Sequence, residues 1–486
     1  MNGGIRVRYT GLILFAGNLL SFLTGFIFSV LIARNLLMED MGAWFFIGSM
    51  IGYFEVMERA LPYWATRDAA RGMRVARTTI YVNFLVSLPA AILFLALSPF
   101  FASLIDTSVE VFAVSALFIP LYYVSVAELS IIRARAPHLA GPRSIIIDGV
   151  KILLALLLLP YGLLGVILAV LFANAVFITY GWIVIRGEFE ERMNLGWAYR
   201  RLKQAWLPLQ HLIAAYVKKA ADITIIGVLT SATTLSSYGI ALIISNTLSA
   251  TRGLTSAIYP KLLESRGRIG FRELASVFKF HYMFTIPMLV GGFILAPNLI
   301  TFFGSKYLDG LSSFYLLLPS SFIGTLIFLL RNLVQGVESV DEDLEAGFKM
   351  LVKSKLFASE AATYFSTASI ILVSIMTVPY LGSLGAAIAR MISNIILFIL
   401  LLLLYLRVFS IRPLLFGMFK PLVSSIPMAV FLLYFSPVGS IQTLFFIGLG
   451  AMIYFVSLYF LDEEARVLWR AAVREVMSKL HLFEEG

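Results

Sequence analysis

The residues of this chain that are able to do chemistry are charges set in stretches too apolar to carry them without a reason. The basic ones are Arg59, Lys151, Lys218, Lys219, Arg252, Arg331, Arg390 and Lys420. The acidic ones include Glu55, Glu58, Glu128, Asp148, Asp222 and Glu360. A charge at the centre of a bilayer costs about 2.5–3.5 kcal/mol on insertion scales, so each needs a partner or a wet cavity. Arg331, Glu360 and Lys420 lie near the ends of their stretches and can snorkel. Asp148 and Lys151 sit on one helical turn, which allows a local ion pair or a cavity role. Arg59 adjoins Glu58, with the same two readings. Lys218 and Lys219 sit too deep to snorkel. Asp222, one turn past Lys218, can neutralise one lysine but not both. The expected chemistry is capture of an anion inside the membrane by Lys218, Lys219, Arg252, Arg390 and Lys151. Asp222, Glu55, Glu58, Arg59 and Asp148 are expected to serve as charge pairs or gates.

Other chemistries lack their residues. There is no cysteine, hence no disulfide, thiolate metal site or cysteine nucleophile. The four histidines have no ligand-like spacing. No glycine-rich loop ending in Lys-Ser/Thr is present to hold ATP phosphates. No cofactor or metal is expected.

The elements that position these charges follow from composition. Hydrophobic residues make up 60% of the chain, charged residues 14%, and the mean hydropathy is +0.90. A soluble domain is about 45–50% apolar and about 25% charged. Apolar stretches fall near 10–33, 42–65, 78–102, 109–132, 144–160, 163–185, 206–230, 236–259, 277–302, 312–336, 355–379, 383–405, 414–435 and 440–461. Most approach the ~20 residues a helix needs to cross the hydrocarbon, and they are numbered here as spans 1 to 14. Helices are expected because lipid offers backbone groups no partner. The fold class is therefore an all-α polytopic membrane protein.

Basic residues sort to one side of this map. The odd-to-even turns carry only Arg34 and Lys306, while the other side carries Arg67, Arg71, Arg74, Arg77, Arg133, Arg135, Arg200, Arg201 and many more. The positive-inside rule makes that side cytoplasmic, with both termini inside the cell membrane. The net charge of +10 is thus a topology signal and calls for no nucleic acid.

The chain also repeats itself. Pro62, Pro89, Pro99 and Pro120 recur as Pro260, Pro287, Pro297 and Pro319, at offsets of 198 or 199 residues. Pro160-Tyr161, Gly165 and Asn174 recur as Pro379-Tyr380, Gly385 and Asn394, after an acidic insertion near 337–355. Spans 1–6 match spans 7–12. An even number of crossings gives both copies the same sense, so the expected relation is a pseudo-two-fold axis along the membrane normal. This divides the chain into 1–186, a linker at 187–205 with an amphipathic helix near Asn194–Trp206, 206–405, spans 13 and 14 over 406–461, and an amphipathic tail over 462–486. Glu55 and Arg252 then occupy matched positions with opposite charge, as an ion pair between the copies or a gate that an anion opens. The matched prolines are expected to kink spans 3, 4, 9 and 10. Gly48-x-x-x-Gly52 reads as a close helix contact.

Ala33-Arg34-x-Leu36 with Gly42 soon after, Asp222 followed by Ile225-Ile226-Gly227, and Tyr238-Gly239-Ile240-Ala241 together resemble the polysaccharide-biosynthesis flippases. That family belongs to the multidrug/oligosaccharidyl-lipid/polysaccharide exporter (MOP) superfamily. Leu37 departs from the pattern, where the family usually has Gly. The resemblance implies alternating access and a substrate made of an oligosaccharide on a polyprenyl (pyro)phosphate. It also places membrane lipid and glycan-assembly enzymes among the partners. Two rivals stand beside it. A cation-coupled drug antiporter of the same superfamily would use buried acids without nearby lysines. A membrane glycosyltransferase or polymerase would place catalytic acids in sizeable outer loops, and every outer turn here is short.

Overall fold

The computed structural model describes residues 23–136, 139, 142–255, 270–337, 354–435, 437, 439–467 and 470. The early part of span 1, Pro260, nearly all of the acidic insertion and most of the tail, including Leu468, Ala472, Val476 and Leu480, lie outside the described residues. Among the described residues the secondary structure is helical, with no strand. The protein is an all-α polytopic membrane protein.

Local chemistry decides where these helices break. Span 2 runs as Met38–Phe54, then a 3-10 turn over Val56–Arg59, then Ala60–Ala70. Span 3 is one helix, Ala76–Leu104, that passes through Pro89 and Pro99. Span 9 ends at Ile294, and a separate helix follows over Ala296–Phe303. Spans 5 and 6 are Pro142–Leu158 and Gly162–Ile185, joined by a 3-10 turn over Leu159–Tyr161. Spans 11 and 12 form the continuous stretch Lys355–Leu406, broken at Gly382. Ser366 and Ser393 exchange hydrogen bonds to each other's carbonyls at 2.9 and 2.7 Å, so this stretch folds back on itself as a hairpin.

The two hairpins turn in the same way. Gly162 has φ 62° and Gly382 φ 53°, a region that a Cβ makes costly. Three residues on, Gly165 packs on the backbone of Leu158 and Gly385 on that of Thr377, where neither place has room for a side chain. The turn chemistry therefore repeats with the sequence.

The chain forms two compact units. The first comprises residues up to Ala241, Phe303–Ser313 and Thr363–Ser393; the second comprises Leu242–Phe302, Phe314–Ala362 and Asn394 onward. Their boundaries do not follow the repeat boundary, because the first unit takes in span 7 and the turn of the span 11–12 hairpin.

In the first unit, the linker helix Leu195–Lys203 docks through buried Asp68 at the end of span 2. Asp68 accepts from Trp197 Nε1 at 2.8 Å and from Arg201 Nε and Nη2 at 2.8 and 2.7 Å. Asn194 caps the helix by accepting from the Trp197 backbone N–H at 2.9 Å. Trp197 faces the core beside Leu61, Ala65 and Ile132, while Leu195 and Tyr199 stay exposed. The helix over Leu195–Lys203 is shorter than the stretch Asn194–Trp206 read from sequence, because a new helix starts at Trp206.

In the second unit, Asp462 ends span 14 in full burial. It pairs with Lys279 Nζ at 2.6 Å and Lys420 Nζ at 3.2 Å, and accepts from the Ala465 backbone N–H at 3.0 Å. Burial pushes this carboxyl up, but Lys279, the Ala465 N–H and Lys420 together hold it below the ordinary carboxylate range. The cluster ties neighbouring ends of spans 9, 13 and 14 together.

Candidate functional site

A helix interrupted inside a membrane exposes carbonyls that must find donors. The break at Glu55–Arg59 finds them in its neighbours. Tyr123 OH donates to the Phe54 carbonyl at 2.8 Å, and Asn83 Nδ2 bridges the Glu58 and Tyr123 carbonyls at 3.0 and 2.7 Å. Both side chains come from the spans packed beside the break, and both are buried. Sequence reasoning passed over them because an Asn or Tyr in a long apolar helix carries no spacing signal.

The break opens a cavity of about 500 Å³ within the first unit. Glu55, Glu58, Arg59, Tyr216 and Lys219 line it, together with Ser49, Tyr122, Ser125 and aromatic walls from Trp44, Phe45 and Phe118. Glu58 is buried and accepts from Arg59 Nε and Tyr216 OH, each at 3.1 Å. The arginine side chain is 56% exposed, and Lys219 is exposed too. Within this cavity, therefore, Glu58 is withdrawn, Glu55 is half-buried, and the two cations are presented. Lys218 is not among the residues that line it.

Gly48 and Gly52 serve this cavity and not the close helix contact expected of them. A Cβ on Gly48 would meet nothing within 4 Å, and one on Gly52 would meet only the Tyr216 ring at 4.0 Å. Both line the cavity, where their missing side chains leave space. Across from them, Ser49 bonds Thr224 at 2.8 Å and the Ala220 carbonyl at 3.2 Å, fixing span 2 against span 7.

Asp222 pairs differently from the sequence expectation. Its partner is Arg390, from span 12, and not Lys218 on its own helix. Arg390 Nε lies 2.5 Å from Oδ2 and Nη2 2.7 Å from Oδ1. Tyr238 OH also donates to Oδ2, and the Ile223 backbone N–H to Oδ1 at 2.9 Å. Arg390 additionally donates to the Lys219 carbonyl at 3.3 Å. Asp222 is fully buried. Arg390, expected among the residues that capture an anion, has its guanidinium bonded to Asp222.

Lys151 and Asp148 form the local pair that their spacing allows, at 2.7 Å. Thr24 donates to the other Asp148 oxygen at 2.9 Å, and the lysine ammonium sits 4.6 Å from the Phe28 ring centroid. This pair is apart from the residues that line the cavity. In the second unit, Arg252 begins a short helix after a 3-10 turn over Asn246–Thr251, so a break also precedes this charge. It donates to the Gly324 carbonyl at 3.4 Å and lies over the Phe328 ring. His281, fully buried nearby, bonds Thr325 at 3.0 Å. Lys420, expected to snorkel, is bound to Asp462.

Several residues that carried the family resemblance make close contacts at one end of the first unit. The Ala33 carbonyl accepts from Tyr307 OH at 2.9 Å, and the Leu36 carbonyl from Lys306 Nζ at 2.5 Å. Gly42 lies against the Ala232 backbone, Gly239 against the Phe45 ring, Gly227 against the Phe46 ring and Gly310 against the Ser237 carbonyl. Each is a point where a side chain would force the helices apart.

No family model and no curated protein matches the chain by sequence. Solved structures do match by fold. A lipid II flippase, MurJ, in an inward closed conformation superposes with a TM-score of 0.70 at 16% identity, covering 95% of this chain and all of that one. An inward-facing multidrug-resistance MATE transporter of the MOP superfamily gives 0.58 at 15% identity, over 82% and 98% of the two chains. A MOP-superfamily transporter from Pyrococcus furiosus, described as having a binding pocket of reverse polarity, gives 0.52 at 15% identity over 82% and 95%. The chain has the fold shared by these membrane transporters.

Proposed function

We propose that the chain is a flippase that moves an oligosaccharide linked to a polyprenyl (pyro)phosphate from the cytoplasmic to the outer leaflet of the cell membrane by alternating access. The observation that carries this reading is the cavity at the break in span 2. It sets Lys219 and Arg59 open to a ligand while Glu58 is buried and bonded. A phosphate entering there would meet ammonium and guanidinium groups in a medium where charge–charge attraction is weakly screened. The polyprenyl tail would stay in the bilayer. The fuller likeness to a lipid II flippase than to the MATE structures supports the same reading. The basic turns at the cytoplasmic ends fit the orientation, with both termini inside. Moving negative charge outward also runs with an inside-negative potential, worth about 2.3 kcal/mol per charge per 100 mV.

Flipping of a fluorescent polyprenyl-pyrophosphate oligosaccharide in proteoliposomes tests this. Losing a charged hydrogen bond costs about 1.5–3 kcal/mol, so Lys219→Ala should reduce flipping at least tenfold. Lys218→Ala and Arg252→Ala, assayed separately, decide whether either cation joins it. Unchanged flipping in Lys219→Ala and Arg59→Ala would remove the anion reading. One observation favours a second reading: Glu55 and Glu58 line the same cavity, as a cation-coupled drug antiporter would need. Cation-driven dye export by vesicles that do not flip the lipid would establish it.

A further inference from the structure

Asp222 is a buried carboxylate inside the membrane, the kind of group by which a transporter binds a soluble coupling cation. A carboxylate offers about four lone-pair positions on two oxygens. Here all four are taken from within the protein. Oδ1 accepts from Arg390 Nη2 at 2.7 Å and the Ile223 N–H at 2.9 Å. Oδ2 accepts from Arg390 Nε at 2.5 Å and from Tyr238 OH. The guanidinium comes from a helix 168 residues away in sequence, and its side chain is 16% exposed. Its remaining reach goes to the Lys219 carbonyl at 3.3 Å, on the helix that presents Lys219 to the cavity. A planar guanidinium also fits a carboxylate with two parallel bonds, which a hydrated alkali ion does not reproduce.

We infer that Arg390 is a tethered counter-cation, occupying on Asp222 the place a soluble alkali-metal ion would otherwise take, so that this part of the transporter works without one. The pair joins spans 7 and 12, with Tyr238 adding span 8, and neutralises the acid wherever those helices travel together. The flipping arm of the test rests on the proposed function; the melting arm does not.

The experiment compares wild type, Arg390→Ala, Arg390→Lys and Asp222→Asn/Arg390→Ala in buffers whose only cation is Na⁺, K⁺ or N-methyl-D-glucamine. Melting of the purified protein in detergent is read first. The wild type is expected to melt at the same temperature in all three buffers. Arg390→Ala should melt lower, and its midpoint should rise with Na⁺ or with millimolar guanidinium, because a vacant carboxylate then accepts a free cation. The double variant should lose that response, and Arg390→Lys, which keeps the charge but not the two-pronged fit, should melt below wild type yet respond to no added cation. In proteoliposomes, wild-type flipping should be equal in the three buffers, and Arg390→Ala should flip only when a small cation is supplied. A wild-type midpoint or flipping rate that rises with Na⁺ overturns the inference. So does an Arg390→Ala protein that folds and responds to no cation. Absent flipping in every protein, with the melting pattern intact, would sink the proposed function and leave the tethered cation standing.

Discussion

Removing the donors on Tyr307 and Lys306, which close one end of the first unit, should open it measurably. Tyr307 OH bonds the Ala33 carbonyl at 2.9 Å and Lys306 Nζ the Leu36 carbonyl at 2.5 Å. These carbonyls belong to the last turn of the helix Leu23–Asn35 and the residue just beyond it, where carbonyls lack intrahelical partners and a cation is favoured. The tyrosine is buried, so its bond is worth about 1 kcal/mol net. The lysine is exposed, so its charged bond is screened and also contributes about 1 kcal/mol. The variant Tyr307→Phe/Lys306→Gln should therefore shift opening by about 2 kcal/mol, or about thirtyfold. Since the chain has no cysteine, one introduced thiol reports without background. Ser313, six residues on from Tyr307, is fully buried and bonds Ser383 at 3.0 Å, so Ser313→Cys is a small change there. Labelling of the purified protein by a water-soluble maleimide scales with the open population when closing is fast. The double variant should label about thirtyfold faster than its Ser313→Cys parent, and Lys306→Arg should restore much of the protection. Equal labelling rates in folded protein would refute the idea that these two bonds hold this end shut.

Further tests reach other parts of the molecule. Asp222→Leu and Arg390→Met should each destabilise by about 3–5 kcal/mol, because each strands a buried charge, whereas the double variant should cost less than either single change; a double-mutant cycle on thermal melting measures this. Asp68→Asn should weaken the hold on Arg201 and lower hydrogen-exchange protection across Leu195–Lys203 by about thirtyfold, equivalent to about 2 kcal/mol. Asp462 is held below its ordinary value of 3.8, so its contribution is present above that pH and lost as pH falls through the lower folded value. The stability gap between wild type and Asp462→Asn should accordingly be constant near neutrality and close below about pH 4. Gly162→Ala and Gly382→Ala should each cost about 1–3 kcal/mol through positive φ alone, read as similar drops in melting temperature.

Much of the fold was legible because a bilayer leaves few options. A long apolar stretch has to satisfy its own backbone, so it becomes a helix, and its length and number can be read directly. The hairpin turns were legible for a related reason. Pro160-Tyr161 and Pro379-Tyr380 mark them, and the matched glycines beside them do what only glycine does at φ 62° and 53°. Local pairs were readable too: Asp148 and Lys151 are close on any helix.

Partner choice at the site was not readable in the same way. Asp222 is one turn from Lys218, yet it bonds Arg390, because that choice depends on which helices pack side by side and on the two-pronged fit of guanidinium to carboxylate. Gly48 and Gly52 have the spacing of a packing motif but stand at an open cavity, since spacing cannot say what lies opposite. Asn83 and Tyr123 became important only because the neighbouring helix breaks and leaves two carbonyls to satisfy. The sequence alone determined the helical membrane class, the span map, the repeat and the inventory of buried charge, all of which depend on local composition and spacing. Only the tertiary structure decided which charges neutralise one another and which face a ligand, because those depend on contacts between residues far apart in the chain.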